Sequence, residues 1–254
     1  MRNLFLVIVL SLAASVAFSQ SIHDITWHTE EYPPFNYKED GVVKGVAVDF
    51  LLAIWKKLGV NKTRSDIKMV PWARGVRILE TRKNTCLFST SLTSSRINVL
   101  GWKFAYPIPR LSDTSENQLV AKIKKGLVFN SAQDVVAYEG KFGVIRGDVG
   151  VSLLEDLGVS RHKLMIASSP QQLTQMLHAG RFDVVSYSLD AMRKAMAEVN
   201  IDEAEYEGVY TFPIASLGYA FHHSTDPMLI KQVQQAIDEL YEEGIADEIV
   251  EGYR

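Results

Sequence analysis

Apolar runs of strand length alternate with helical periodicity along almost the whole chain. Ile25–Thr29 reads as a first strand. Val48, Leu51, Leu52, Trp55 and Leu58 then recur at helical spacing, and Gly59 closes that helix. Asp66–Val70 predicts a second strand, Ala73–Arg82 a second helix and Thr85–Ser91 a third strand. This βαβαβ order predicts a parallel sheet with helices on its faces. The pattern then starts afresh. Strands are expected at Gln118–Ile123, Phe142–Arg146, Lys163–Ala167 and Phe182–Tyr187, with helices at Ala132–Tyr138 and Val149–Leu157 and from Leu189 onward. Ser169-Pro170-Gln171-Gln172 combines an N-cap serine, a proline at the first helical position and a capping-box glutamine, so a helix is expected from there to His178. Leu217–His222 reads as a last strand, followed by an amphipathic helix over Pro227–Glu243 and a short one over Ala246–Val250.

Two proline-bearing segments, Tyr106–Arg110 and Phe212–Ser216, interrupt regular structure between these units. If both join the same two lobes, the middle third of the chain forms one lobe and the two ends combine into the other. The expected division is lobe 1 from residues 20–109 and 215–254, and lobe 2 from residues 110–214. Two strands crossing side by side would make a hinge with a cleft between the lobes.

The first 19 residues have a different character. Arg2 precedes an apolar stretch, Leu4–Val16, too short to span a bilayer comfortably. Ala17 and Ser19 put small residues just ahead of a cut before Gln20, the pattern of a secretory signal peptide. No cysteine follows the cut, so no lipoprotein anchor is expected, and a periplasmic location is. The net charge of -3 is spread without basic runs, which argues against nucleic acid as a partner. The one cysteine, Cys86, lies in an apolar strand and reads as a core thiol, with no disulfide.

In parallel α/β sheets ligands bind beyond the carboxyl ends of the strands. After the first strand come Glu30-Glu31-Tyr32-Pro33-Pro34-Phe35, where Glu31 and Tyr32 are candidates for the cleft and Phe35 for the core. After the second comes Trp72, placed to form a flat wall. After the third come Ser89, Ser91, Thr93 and Arg96. Thr93 is a good N-cap, and a guanidinium beside it could grip a carboxylate through two parallel hydrogen bonds. From the middle third, Arg146, Asp148, Tyr187 and Ser188 end strands and could face the same cleft. There is no His-Glu-x-x-His, paired cysteine, Gly-x-Ser-x-Gly or phosphate-binding glycine loop, so neither enzyme, cofactor nor metal is expected. His222 and His223, adjacent at a strand end, should point to opposite faces.

Several segments occur in a telling order: Tyr32-Pro33-Pro34-Phe35, Lys44–Asp49 opening a helix that ends Lys57-Leu58-Gly59, Val70-Pro71-Trp72, Ser91–Arg96, Gly180–Val185 and Leu240–Gly244. This order resembles the family 3 extracellular solute-binding proteins, the polar amino-acid receptors of ABC importers. The resemblance implies an α/β, type II periplasmic binding fold with a two-strand hinge. It implies that Thr93 and Arg96 grip a ligand's α-carboxylate, that Tyr32 and Trp72 sandwich its side chain, and that Ser89 and Ser91 assist. Two departures stand out. The family commonly places an aspartate for the α-amino group where this chain has Ser188, and its Thr-Gly turn is altered to Gly147-Asp148-Val149. Either Glu31 or Asp148 takes over the amine, or the ligand lacks one. The expected partners are a small carboxylate-bearing solute and an ABC permease or a membrane receptor, and the protein itself is expected to be a monomer. A periplasmic dehydratase is the enzymatic alternative; it would need a general acid from Glu31 or Asp148.

Overall fold

The computed structural model describes residues 20–111, 117–212 and 216–253. The signal peptide expected at residues 1–19 and residues 213–215 of the second junction lie outside the described residues.

The first half of the architecture is a five-stranded mixed sheet. β1 (Thr26–Thr29) lies between β4 (Lys68–Met69) and β5 (Thr85–Ser91), parallel to both. These are the three strands expected from the βαβαβ pattern, connected by α1 (Val46–Lys57) and α2 (Trp72–Thr81). β12 (Leu217–Phe221) joins the far side of β5 antiparallel, and β6 (Lys103–Ala105) pairs antiparallel with β12. A hairpin of β2 (Tyr37–Glu39) and β3 (Val42–Lys44) stands apart, turning through Asp40 and Gly41, both with positive φ. α7 (Pro227–Glu242) and α8 (Ile245–Glu251) complete this half, α7 packing on α1.

A second five-stranded sheet follows the order β11 (Tyr206–Thr211), β7 (Asn117–Lys122), β10 (Val184–Ser188), β8 (Phe142–Ile145), β9 (Leu164–Ala167). β10, β8 and β9 are parallel; β7 runs against β10 and β11 against β7. α3 (Ala132–Ala137), α4 (Val149–Leu157), α5 (Pro170–His178) and α6 (Leu189–Glu198) connect them. The chain passes from the first sheet to the second between β6 and β7 and returns between β11 and β12.

Helix starts follow local chemistry. The Ser169 hydroxyl accepts the Gln172 amide at 3.2 Å, with Pro170 opening α5. The expected return bond of the capping box goes elsewhere: Gln172 Oε1 accepts from the Ser168 amide at 2.6 Å. Asp226 caps α7 ahead of Pro227 in the same way. The core of the first half centres on Trp27, whose ring meets Trp55, Tyr219 and Phe221 edge-on. One apolar cluster runs without a break from these residues through Tyr32 and Ile145 to Leu173 and Met192, so the two halves are in direct contact. Cys86 is fully buried with a free thiol. No helix among the described residues is long and apolar enough to cross a membrane.

Candidate functional site

The carboxyl ends of β1, β4 and β5 point at the second sheet, and a small cavity is enclosed there. Glu30, Tyr32, Trp72, Ser89, Ser91, Arg96 and Leu217 line it from the first half; Asn117, Asp148 and Val149 line it from the second. Its volume is about 10 Å³, the room of roughly one water molecule. The halves touch directly beside it, where Trp72 Nε1 donates to the Gly147 carbonyl at 2.6 Å.

Arg96 is the cation of this cavity. Thr93 begins the turn as expected: its hydroxyl accepts the Arg96 amide at 3.2 Å. The turn that follows, Ser95–Val99, is π-helical. Arg96 Nη1 donates to the Ser91 carbonyl at 2.8 Å. The guanidinium lies between two indoles, 5.1 Å from the centre of the Trp72 ring and 5.4 Å from that of Trp102. Such contacts hold a desolvated cation in place. Burial lowers the Arg96 pKa to about 10, against the pull of Asp148 and Glu30, so it stays charged at neutral pH. Most of its N–H donors carry no hydrogen bond among the described residues, which leaves them for an anion.

Two acids share the cavity with Arg96. Glu30 is 9% exposed, and no described hydrogen bond reaches its carboxylate. Burial first, then the neighbouring Asp148 charge, push its pKa well up, against Arg96. Asp148 is the N-cap of α4, a favourable place for a negative charge. Its Oδ2 is sealed from solvent without a hydrogen-bond partner. Burial raises its pKa, while Arg96 and the amides of Val149 and Gly150 oppose the rise. Glu30 lines both this cavity and the wider hollow beside it, whereas the expected Glu31 lines the wider hollow alone. Glu31 turns away to accept from Lys194 Nζ on α6 at 2.8 Å and from the Lys38 amide at 3.2 Å.

The other expected residues divide. Ser89 reaches the cavity because β5 carries a bulge: Gly218 pairs with Thr90 and Tyr219 with Phe88, which leaves Ser89 as the extra residue at φ 57°. Bulges of this kind re-aim a side chain. The Ser89 hydroxyl donates to Asn36 Oδ1, and Asn36 Nδ2 donates to the Glu30 carbonyl at 2.5 Å, which fixes the loop behind the acid. Tyr32 lines the cavity, stacked on Phe35 at 5.6 Å. Tyr187 and Ser188 stand one layer back. Tyr187 packs edge-on against Tyr32 at 5.8 Å. The Ser188 hydroxyl caps α6 by accepting the Ala191 amide at 3.3 Å. Arg146 is exposed just past the end of β8 and does not line the cavity. Asn36, Trp102, Asn117 and Glu30 were not singled out from the sequence. Asn117 begins β7, and its buried Oδ1 has no hydrogen-bond partner.

A wider hollow of about 330 Å³ adjoins the cavity and shares Glu30 and Trp72 with it. Its other walls are Glu31, Lys38, Met69, Val70 and Pro71 on one side and Ile145 and Ser168–Gln171 on the other. Away from the cleft, β12 ends at Phe221, so the expected strand alternation does not govern the two histidines. Their rings lie 4.1 Å apart, tilted by 34°. Among the described residues no group of three or more His, Cys, Asp or Glu is arranged to hold a metal ion.

Residues 25–254 match the model of the bacterial extracellular solute-binding proteins, family 3. The chain belongs to this family. Its fold is the two-lobed type II periplasmic binding fold, as solved structures of related shape also show. A structure of EhuB in complex with hydroxyectoine aligns with a TM-score of 0.73 at 21% identity, covering 91% of this chain and 90% of that one. A histidine kinase sensor domain with similarity to periplasmic binding proteins aligns at 0.70 and 19%, covering 88% and 93%. The arginine-, lysine-, histidine-binding protein ArtJ from Geobacillus stearothermophilus aligns at 0.69 and 18%, covering 89% and 93%. No curated protein matches by sequence. Arg96 and Trp72 both line the cavity between the two sheets.

Proposed function

We propose that this family 3 protein captures a small carboxylate-bearing solute between its lobes and delivers it to an ABC importer. Lobe 1 comprises residues 20–109 and 215–254, lobe 2 residues 110–214, and residues 1–19 export the protein to the periplasm, where it acts as a monomeric binding protein and not as an enzyme. The observation that carries this reading is Arg96: a buried guanidinium held by Ser91 and two tryptophans, with donors left over. Planar guanidinium donors match a carboxylate in a bidentate fork. Trp72 and Tyr32 supply apolar walls, and the adjoining hollow receives the rest of the solute. Asn117 and Asp148 touch the solute only when the lobes close. Contacts present in one state alone are what let a ligand shift the equilibrium. A sensory role would use the same lobes, as the sensor domain among the structural neighbours illustrates; co-purification with a permease rather than a receptor kinase separates the two.

The test is Arg96→Ala beside Arg96→Lys, assayed by calorimetry against solutes found by thermal-shift screening. A ligand that binds only the native state raises the melting temperature. Arg96→Ala should weaken carboxylate binding by at least about a hundredfold, the order expected when a buried charged pair loses one partner. Arg96→Lys should also bind poorly, since the fork is lost. Wild-type affinity in Arg96→Ala would overturn the reading.

A further inference from the structure

The loop that carries Tyr32 also caps α1. Gly45 stands at the N-cap position with no side chain to offer. The amides of Val46 and Ala47, at the unpaired start of the helix, donate to the Pro34 and Phe35 carbonyls instead. The Tyr32 ring is stacked on that of Phe35. The place of Tyr32 in the cavity therefore follows the place of the α1 N-terminus. That N-terminus is clamped from outside. The Gly45 amide donates to the Tyr253 hydroxyl at 3.1 Å, and that hydroxyl donates to Asp49 Oδ2, one turn into α1, at 2.6 Å. Asp49 Oδ1 accepts from Arg64 Nη2, and Arg64 Nη1 donates to the Val43 carbonyl at 3.0 Å. Two polar groups of the backbone entering α1 are thus each held by a distant side chain, and Asp49 gathers both side chains. Tyr253 lies just past α8, 208 positions from Gly45. Burial, and then the bond to Asp49, raise its pKa, so the hydroxyl keeps the proton it donates. Tyr253, Asp49 and Arg64 do not line the cavity themselves.

We propose that Tyr253 is a positioning residue for solute capture: its hydroxyl sets the α1 N-terminus and, through the Pro34 and Phe35 carbonyls, the Tyr32 wall of the cavity. The proposal rests on the reading of the cavity as the solute site and extends that site's determinants to a residue outside it. The position calls for a hydroxyl. One oxygen must accept from an amide and donate to a carboxylate at once, which an ammonium or a carboxylate cannot do. The loop has a second attachment at Asn36, whose side chain donates to the Glu30 carbonyl and accepts from the Ser89 hydroxyl. That attachment fixes the base of the loop beside β1 and β5. Pro34 and Phe35 are held from the α1 side. Loss of the Tyr253 hydroxyl takes these partners from the Gly45 amide and Asp49 Oδ2, so the α1 N-terminus and the loop relax together. Tyr32 then spends part of its time away from the solute, and affinity falls with the fraction of molecules in which it is placed.

The experiment compares wild type, Tyr253→Phe, Tyr32→Ala and the Tyr253→Phe/Tyr32→Ala double variant. Amide hydrogen exchange on the solute-free proteins is the first readout, since it reports local opening. In Tyr253→Phe the Val46 and Ala47 amides should exchange at least about fivefold faster, the effect of about one hydrogen bond. Amides of β7, β8 and β10 in the second sheet should keep their wild-type rates. Rates raised equally in both sheets would mean a general loss of stability and overturn the proposal. So would unchanged rates at Val46 and Ala47. Calorimetry is the second readout, its probe the standard L-amino acid that raises the melting temperature most. Tyr253→Phe should weaken binding of this probe about three- to tenfold. In the Tyr32→Ala background the same substitution should change affinity by less than about twofold, because a residue that acts through Tyr32 has nothing left to position. Equal losses in the two backgrounds overturn the proposal. Affinity lost in Tyr32→Ala but kept in Tyr253→Phe overturns the positioning role alone. Affinity kept in both overturns the reading of Tyr32 as a wall of the solute site, and the positioning role with it. Should no amino acid bind, hydrogen exchange decides alone. Should Tyr253→Phe not fold, Asp49→Asn, which removes the charge that Tyr253 and Arg64 share, is read by the same criteria.

Discussion

Glu30 and Glu31 are neighbours in sequence and opposites in environment. Glu31 is partly exposed and answered by Lys194; Glu30 is buried near another acid. For Glu30 the sign of the pH effect follows directly. Its pKa in the folded protein lies above the ordinary carboxylate value, because burial and Asp148 outweigh Arg96, with Glu31 adding a smaller upward push. A folded state that holds a proton more tightly than the unfolded chain is favoured while both are protonated. That advantage is lost as pH rises through the raised value. Burial shifts Asp148 the same way, against Arg96 and the Val149 and Gly150 amides. Glu30→Gln removes the penalty. Its gain in stability over wild type should therefore be small near pH 4 and grow toward pH 8. Thermal unfolding of both proteins across that range checks it; a difference independent of pH would mean that Glu30 is ionised with full compensation.

At the scale of elements, the placement of the site depends on local backbone devices. The loop bearing Tyr32 is tied to α1 through Gly45, where the Val46 and Ala47 amides donate to the Pro34 and Phe35 carbonyls at 3.2 and 2.9 Å. Gly45 has φ 121°, and a Cβ there would lie 2.2 Å from the Phe35 carbonyl oxygen. Gly45→Ala must move this junction and should destabilise the protein by about 3 kcal/mol or more, visible as a lower urea midpoint. An unchanged midpoint would show that the loop shifts freely. The same devices explain what was legible beforehand. Long periodic segments were readable, and β5 and α4 begin and end where their patterns do. β6 has three residues, β11 is an irregular edge strand, and the β2–β3 hairpin announces itself only by Asp40-Gly41, so none offered enough periodicity to be found. At the site, Arg96 and Thr93 were legible because capping and guanidinium chemistry are local. Glu30 was not: β1 ends at Thr29, and beyond a strand's end alternation no longer says which side chain faces the cleft. Ser89 was named for its hydroxyl, but the bulge that turns it inward depends on pairing with β12, a hundred and more residues away in the chain. Ser188 was read for its missing charge, whereas the structure uses it as a cap.

For the whole molecule, the question is how firmly the lobes hold each other when closed. Among the described residues two polar contacts cross between them beside the site: Trp72 Nε1 to the Gly147 carbonyl, and Lys194 Nζ to Glu31 Oε1 at 2.8 Å. The ion pair is about one-third exposed on each side, at 32% and 39%. Solvent screening limits such a pair to about 0–1 kcal/mol. Lys194 also rests on the Tyr37 ring at 4.5 Å, which restrains the side chain but belongs to a similarly exposed surface. Removing Lys194 should therefore shift the balance between open and closed forms by no more than about fivefold, and a solute that binds through closure should lose affinity by the same factor. Scattering and calorimetry on Lys194→Ala should place it within about fivefold of wild type. A loss beyond about fiftyfold would instead make the Lys194–Glu31 contact the main latch of the closed cleft.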